Sequence, residues 1–521
     1  MKDFESKMPI SRQIRYYKQS RDNWKENAAQ KQIKIREYVQ LTRALKKSRD
    51  NWKNKAMQAK KRAEEAEQKI SELERKLKKL DPSYDSDPSE DEELSPPLSE
   101  KAPHHHYQIT TISIAVEQFI DVANSYRGIS KNFRLFSSYF PTEVPHYSTI
   151  KQWVERLGLY ALTYYPERRD DWIYILDFTV EWGDKQAFVI YALSQEVFQT
   201  QILPSRRGVR PSDGQVLAVE ITKTPTALWI KSVLEYISYR YGFPRQIISD
   251  HASNLKKGIE LFHANHPGII YTYDVTHALA NLLKKELLFP DIFQNFLSDC
   301  HHCRKQILQT ELAFAAPPRQ RIKSRFLNLE ALLNWANHVL NSRFNIFFQL
   351  VSYQKHQKFY QRLQDKFSWL FSYEYYLPFW LCQIKMIRLL QKQVKQMGLT
   401  SSSAFQFEQL LLNFNIPASL NSFKAQLFLY LQQEMPDYDQ TLLASSDVLE
   451  SIFGRYKNLS KRCPLKEIRS LILTIPLIPI TLTHNFVKNA LNTVSCSHLN
   501  LWTKHIFGQS MLSKRKILFQ Y

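Results

Sequence analysis

Residues 171–193 read DWIYILDFTVEWGDKQAFVIYAL. Two runs, WIYILDFTVEW and QAFVIYAL, are rich in Ile, Val, Tyr, Phe and Trp, and EWGDKQ joins them with turn chemistry, so the segment predicts a β-hairpin. The first run carries an acid, Asp177, at the end of its apolar half. Downstream, QVLAVEIT (215–222) predicts a third strand. PTALWIKSVLEYISYRYG (225–242) predicts a helix with Pro near its start and Gly at its end. RQIISD (245–250) reads as a short buried strand ending in Asp250, SNLKKGIELFHANHP (253–267) as a helix, and GIIYTYD (268–274) as a further strand. The order β-β-β-α-β-α-β describes a mixed sheet flanked by helices.

After Ala278 the β signal stops, and the chain reads as helical to about residue 445. Stretches such as LEALLNWANHVLNSRFNIFFQLV and FKAQLFLYLQQE hold enough Leu, Phe, Tyr and Trp to bury a core of their own. The helical run passes into SSDVLESIFGRYKNLSKR (445–462), where two acids, Asp447 and Glu450, precede a run of Lys and Arg. The predicted organisation is a first part of an α/β core at 171–290, an all-α insertion at 291–444, and a completion of the core at 445–521.

Upstream, SIAVEQFIDVANSY, SKNFRLFSSYF and YSTIKQWVERLGLY predict three short helices within 104–165, with Ser148 capping the last. The PTEVPH turn before the third suits a small helix-turn-helix domain, with Lys151, Gln152 and Arg156 facing outward to DNA and Ile150, Val154 and Leu157 inward. A helical bundle without a DNA contact fits the same pattern. Residues 81–103, DPSYDSDPSEDEELSPPLSEKAP, are acidic, rich in Pro and Ser and without apolar periodicity, and predict a disordered linker. Residues 1–80 repeat SRDNWKENA as SRDNWKNKA, and an apolar three-four spacing runs unbroken from Trp52 to Leu80. That is the seam of a basic coiled coil, which predicts a homodimer or higher oligomer.

Lys and Arg number 71 against 50 Asp and Glu, a net charge of +21 that favours a polyanionic partner. Five scattered cysteines among 521 residues argue against a disulfide framework. The charged N-terminus is not a signal peptide. The most apolar stretch, LILTIPLIPITLT (471–483), is too short to span a bilayer and predicts no membrane segment. DCHHCRK (299–305) offers half a zinc site but no second half at matching spacing. Trp335, Trp369 and Trp380 sit in apolar helical sequence, where tryptophans are ordinarily core.

An acid buried unpaired where a strand emerges costs several kcal/mol unless hydrogen bonds or a cation compensate it. Asp177 and Asp250 occupy two such strand ends and can converge. With a third acid from a later helix they form an oxygen-rich set for hard divalent ions. Two Mg²⁺ ions in such a site would activate a water or a 3′-hydroxyl and stabilise the leaving oxygen in phosphodiester transfer.

The strand order matches the ribonuclease H-like fold, and the chain resembles the DDE-type transposases, a group that includes the hAT and Mutator-like superfamilies and related bacterial insertion-sequence transposases. The resemblance spans about residues 171–462 and rests on Asp177, Asp250, Asp274-Val-Thr-His277 and the segment SDVLESIFGRYK. It implies Asp177, Asp250 and Glu450 as the catalytic, metal-holding carboxylates, and a helical insertion between the second and third. It implies an enzyme that cleaves transposon ends and transfers the strand to target DNA, with Mg²⁺ or Mn²⁺ as cofactor. Glu450 is supported by helical geometry too, since Gly454 and Lys457 share its face while Val448, Ile452 and Leu459 lie on another. Asp447 suits an N-cap. His277 can bond the scissile phosphate, and Lys457, Lys461 and Arg462 lie where phosphates would pass; Asn254 and Lys256 read equally as DNA contacts or a solvated helix start. The sequence departs from the integrase branch, whose second Asp and Glu lie close together, and has Asp where some relatives carry Cys or Asn. A regulatory protein that keeps the fold without the chemistry, or a nuclease without strand transfer, remains an alternative. The expected compartment is the nucleoid-bearing cytoplasm of a bacterium or the nucleus of a eukaryote.

Overall fold

Five strands form one mixed sheet in the order β3-β2-β1-β4-β5. The strands are β1 (Trp172–Trp182), β2 (Lys185–Ser194), β3 (Gln215–Thr222), β4 (Pro244–Ser249) and β5 (Ile270–Tyr273). The computed structural model describes residues 100–519 apart from 183–184, 289–290, 320–328, 342–355, 437–439 and 462–467, and only scattered positions before residue 100. The expected coiled-coil seam therefore lies almost wholly outside the described residues, as does Arg462.

β1 and β2 pair antiparallel from Trp172↔Ser194 to Thr179↔Ala187, β2 and β3 are antiparallel, and β4 and β5 join in parallel. Alternate residues face opposite sides. Tyr174, Leu176, Phe188 and Ile190 pack under helices α4 (Ala227–Tyr241) and α5 (Ser253–His263), through Ile230, Leu234, Ile259 and Phe262. Ile173, Ile175, Val189 and Tyr191 face the other side, which is covered by the N-terminal and C-terminal helices. Because both faces are buried, β1 reads as an almost unbroken apolar run. The strand order, mixed directions and flanking helices are those of a ribonuclease H-like α/β core, joined to extensive helical regions.

Three helices precede the sheet: α1 (Ile109–Ile120), α2 (Tyr126–Phe136) and α3 (Tyr147–Thr163). The first stops short of the expected end at residue 126 because Ala123 takes a left-handed φ of 56°. Ser125 then caps α2 by accepting from the Gly128 N–H at 3.0 Å. On α3 the cap is His146, whose ring accepts from the Ser148 N–H, and not Ser148 itself. The outward orientation expected of Arg156 is also corrected. Arg156 is buried and donates to the carbonyls of Val494 at 2.5 Å and Leu491 at 2.7 Å. Those carbonyls close the helix α14 (His484–Thr493), where the last turn has no donor of its own. A guanidinium can supply both bonds while its stem stays in the core. Gly158 comes so close to the Leu473 carbonyl that a Cβ would lie 2.1 Å from its oxygen. The C-terminal half of α3 is therefore a core element, and Lys151 and Gln152 remain on its exposed edge.

The last residues of the expected linker are also part of the fold. Glu100 accepts from Lys488 at 2.6 Å and pairs with His484 at 3.0 Å, and Ala102 is buried. Burying Ala102 and pairing Glu100 removes these residues from the solvated class their composition implied.

The helical insertion has its own core, built by α6 (Val275–Leu288), α7 (Asp291–Ile307), α8 (Leu329–Asn341), α9 (His356–Phe367), α10 (Leu377–Met397), α11 (Ser403–Leu411) and α12 (Asn421–Glu434). Val275, Leu279, Leu283 and Leu287 of α6 belong to that core, so it begins one helix earlier than residue 291. Trp380 is a core residue stacked edge-on against Phe293 at 4.8 Å, and the indoles of Trp335 and Trp369 bond the carbonyls of Ala315 and Lys366. Cys300 and Cys303 are buried in the same core while His301 and His302 face outward, a division that scatters the four groups.

Candidate active site

Sheet register brings the first two acids together. Leu176 pairs with Ser249 across the parallel β1 and β4, and the next residue on each chain is Asp177 and Asp250. Asp177 falls in the alternation of Ile173 and Ile175, and Asp250 in that of Ile248, so both belong to the face covered by α13 (Asp447–Ser460). That helix buries Val448, Leu449, Ile452, Phe453 and Tyr456 against the sheet, which leaves Glu450 on the side toward the strand ends. Asp177 accepts from the Phe178 N–H at 2.7 Å, and Asp250 from the Ala252 N–H at 3.3 Å.

The acids share one electrostatic neighbourhood. Burial pushes the Asp177 carboxyl up to about 7, and the like charge of Asp250 adds to it. The Phe178 N–H and His277 pull the other way, while Glu450 raises it further. Burial, and then Asp447, also raise Glu450 above the usual carboxylate range. His277 stands with Nε2 3.7 Å from Glu450 Oε1. Sheet register, electrostatics and the 3.7 Å approach of His277 to Glu450 thus bring Asp177, Asp250, Glu450 and His277 to one edge. Among the described residues no three His, Cys, Asp or Glu side chains stand at spacing ready to hold a metal ion.

Asp274 holds this edge together. It is fully buried and accepts from the His277 N–H at 2.8 Å, the Ser446 N–H at 2.5 Å and the Ser446 hydroxyl at 2.8 Å. One carboxyl therefore fixes the first turn of α6 and the first turn of α13. The return from the insertion is clamped beside it, where the Gln246 amide bonds both N–H and C=O of Leu443 and the Val275 N–H reaches the Ala444 carbonyl. Asp447 is the first helical residue of α13 rather than its cap, which is Ser446. Its carboxylate is drawn away from the backbone by the Thr276 hydroxyl at 3.0 Å and by an ion pair with Lys395 of α10.

The basic residues divide. Lys457 lies about two helical turns beyond Glu450, with its ammonium 5.8 Å from the Phe453 ring centre, and Lys461 is exposed and bonded to Asn458 at 2.8 Å. Gly454, between Glu450 and Lys457, is open, since a Cβ there would meet nothing within 4 Å. Lys151 is exposed and pairs with Glu155 at 3.6 Å, on the separate helix α3. Asn254 is exposed at the start of α5, and Lys256 pairs with Glu260 at 3.9 Å.

Sequence reading missed three neighbours. His251 follows Asp250 and stacks on Tyr273 at 3.7 Å, and burial with Lys256 nearby lowers its imidazole to about 4. Glu434 accepts from the Tyr273 N–H at 2.7 Å and burial pushes it up to about 7. Lys395 and Glu434 come from the insertion, far away in sequence, and carry no local signal. Adjacency to Asp250 was the available signal for His251.

Fold and site define a class: a ribonuclease H-like core with convergent carboxylates at the ends of its central strands. Compared with known proteins, the chain matches no family model and no curated relative. Among solved structures it is similar to the Drosophila P element transposase strand transfer complex, at 11% identity and a TM-score of 0.33, over 76% of this chain and 94% of that one. It is also similar to the HTLV-2 integrase catalytic core domain in complex with magnesium, at 15% identity and a TM-score of 0.15, over 23% of this chain and 75% of that one. A third is a simian T-cell lymphotropic virus intasome, at 10% identity and a TM-score of 0.15, over 43% and 69% of the two chains. With scores this low, the functional reading rests on the site.

Proposed function

We propose that the chain is a DNA transposase of the DDE type, in which Asp177, Asp250 and Glu450 support cleavage of transposon ends and transfer of the strand to target DNA. The observation that carries the reading is the placing of Asp177 and Asp250 side by side at two strand ends, with Asp177 raised to about 7 by burial and by its neighbour. Carboxylates that repel one another in a half-buried edge are relieved by a divalent cation, and an all-oxygen set suits Mg²⁺ or Mn²⁺. In its chemistry the donor set suits the ion, and Asp177, Asp250 and Glu450 are the residues that would hold it. When bound, such ions activate a water or 3′-hydroxyl and stabilise the leaving oxygen.

The remaining roles fall to side chains of this protein. His277 beside Glu450 would donate to a non-bridging phosphate oxygen and keep the DNA strand at the edge of the sheet. Lys457 and Lys461 continue along α13, with Arg462 next in sequence, and would neutralise phosphates of a backbone passing over open Gly454. Lys151 would contact DNA from α3. The N-terminal repeats would pair copies of the chain at two element ends.

The test is cleavage and joining of the element's own ends with Mg²⁺ or Mn²⁺, wild type beside Glu450→Gln. Loss of both activities by about 10³-fold or more is expected, since one metal-holding carboxylate is removed without a change of shape. Undiminished activity in the variant would overturn the assignment. A second reading is a fold kept for DNA binding without chemistry. Inactive wild-type protein with intact end binding would support it.

A further inference from the structure

Asp250 lies one residue past the last pairs that β4 makes with its neighbours, Leu176↔Ser249 and Ser249↔Tyr273. No strand partner aims it. Its carboxylate closes a turn on the Ala252 N–H at 3.3 Å, just beyond the usual span of about 2.7–3.2 Å for such a bond. His251 is the middle residue of that turn. Its imidazole lies flat on the Tyr273 ring, with centres 3.7 Å apart and planes 7° from parallel, and the centre of the Tyr271 ring is 5.4 Å away. Tyr271 and Tyr273 share a face of β5, and Ser249 takes the same face on β4, where its hydroxyl meets the Tyr271 hydroxyl at 2.9 Å. Asp250 belongs to the other face, so His251 acts on it through the backbone.

Tyr273 is itself held at three points. Its N–H donates to Glu434 at 2.7 Å and its carbonyl accepts from the Tyr430 hydroxyl at 3.2 Å, both on α12 at the end of the insertion. Its hydroxyl accepts from the Asn281 amide of α6 at 2.7 Å.

We infer that His251 and Tyr273 are positioning residues for the second carboxylate, and that the insertion sets Asp250 through their stack. The inference rests on Asp250 holding a divalent ion, as proposed above. A carboxylate aimed by one long bond can swing with its turn, and a ring pressed on a fixed ring opposes that movement. Side chains that orient a metal-holding residue without touching the ion change its affinity by about 10–100-fold. Neither imidazole nitrogen of His251 is hydrogen-bonded among the described residues, so the contact uses the plane of the ring. Tyr273 is fixed in turn by side chains 157 and 161 residues away, which makes the place of the carboxylate depend on the insertion being docked.

The test compares the full-length wild type with His251→Ala, His251→Phe, Asp250→Asn and the pair Tyr430→Phe with Glu434→Ala. The first measurement is Mn²⁺ affinity, read from the paramagnetic resonance of the free ion, so nothing depends on cleavage. His251→Ala is expected to weaken Mn²⁺ binding about 10-fold or more, while metal-free binding of the element's ends changes less than about twofold. His251→Phe keeps a flat ring and should stay within about threefold of wild type. A merely structural role would not be rescued by Phe and would not single out the ion. The second measurement is nuclear magnetic resonance of the His251 ring protons, identified by their loss in His251→Phe and shifted by the ring current of Tyr273. Tyr430→Phe with Glu434→Ala should move them toward the positions of an unstacked imidazole and weaken Mn²⁺ binding about threefold or more. Mn²⁺ binding lost in Asp250→Asn but unchanged in His251→Ala would overturn the inference and leave the transposase reading standing. Equal loss in His251→Phe and His251→Ala would also overturn it, since the ring nitrogens would then be at work, as would ring resonances indifferent to the pair on α12. Mn²⁺ binding unchanged in Asp250→Asn would overturn both the inference and the site assignment beneath it.

Discussion

Arg156 and Lys151 sit five residues apart on one helix and have opposite fates. Lys151 reaches solvent, while Arg156 is inside, feeding the carbonyls of Leu491 and Val494. Arg156→Ala should cost about 2–4 kcal/mol in urea unfolding, because two buried carbonyls lose their donor. Lys151→Ala should leave stability within about 0.5 kcal/mol and weaken DNA binding modestly. The reverse pattern would restore the outward reading of Arg156. Glu434 gives a pH prediction. Its folded value of about 7 lies above that of an unfolded glutamate, so between about pH 4 and 7 the native state holds a proton that the unfolded state has lost. Stability from this group is present below that window and falls as pH rises through it. Glu434→Gln keeps an acceptor for the Tyr273 N–H and does not titrate. The variant should gain about 1–3 kcal/mol over wild type in going from pH 4.5 to pH 8, measured by urea unfolding at each pH.

At the scale of elements, one buried carboxyl joins two helix starts. Asp274 takes hydrogen bonds from the beginnings of α6 and α13, and so places His277 and Glu450 relative to each other. Asp274→Ala would orphan the Ser446 and His277 N–H groups and should cost about 3 kcal/mol or more in thermal unfolding. Asp274→Asn can still accept two of the bonds and should cost less than half of that. Equal losses in the two variants would mean that shape, and not acceptor capacity, is what the site uses. The signature Asp-x-x-His was legible in sequence, but its physical content was not. Sequence shows that Asp274 and His277 share a helix start, whereas the 172-residue separation from Ser446 is closed only by folding. The strands were the most legible elements, since apolar runs bounded by turns survive any choice of neighbours. The start of α1 and the break at Ala123 were less so, because a left-handed residue other than Gly has no local mark.

In the whole molecule, the helical insertion is tied to the start of α13 through Asp447. Lys395 of α10 and Thr276 of α6 hold Asp447, three positions before Glu450. Lys395→Met should raise amide hydrogen exchange in residues 447–452 by about 10-fold while leaving the central strands protected. Unchanged exchange there would show that Asp274 alone anchors the helix. By itself the sequence determined the five strands and their order along the chain, the all-helical character of the insertion, and the carboxylates at the strand ends, because each is written in local periodicity and in the chemistry of short segments. Tertiary structure decided the rest. Parallel register set Asp177 beside Asp250, burial raised the proton affinity of Asp177, Glu450 and Glu434, and packing turned half of α3 inward with Arg156. It also brought Glu434 to Tyr273 across 161 residues, Ser446 to Asp274 across 172, and Lys395 to Asp447 across 52. These are properties of burial and of long-range pairing, which depend on what lies across the fold and leave no pattern in the segment that carries them.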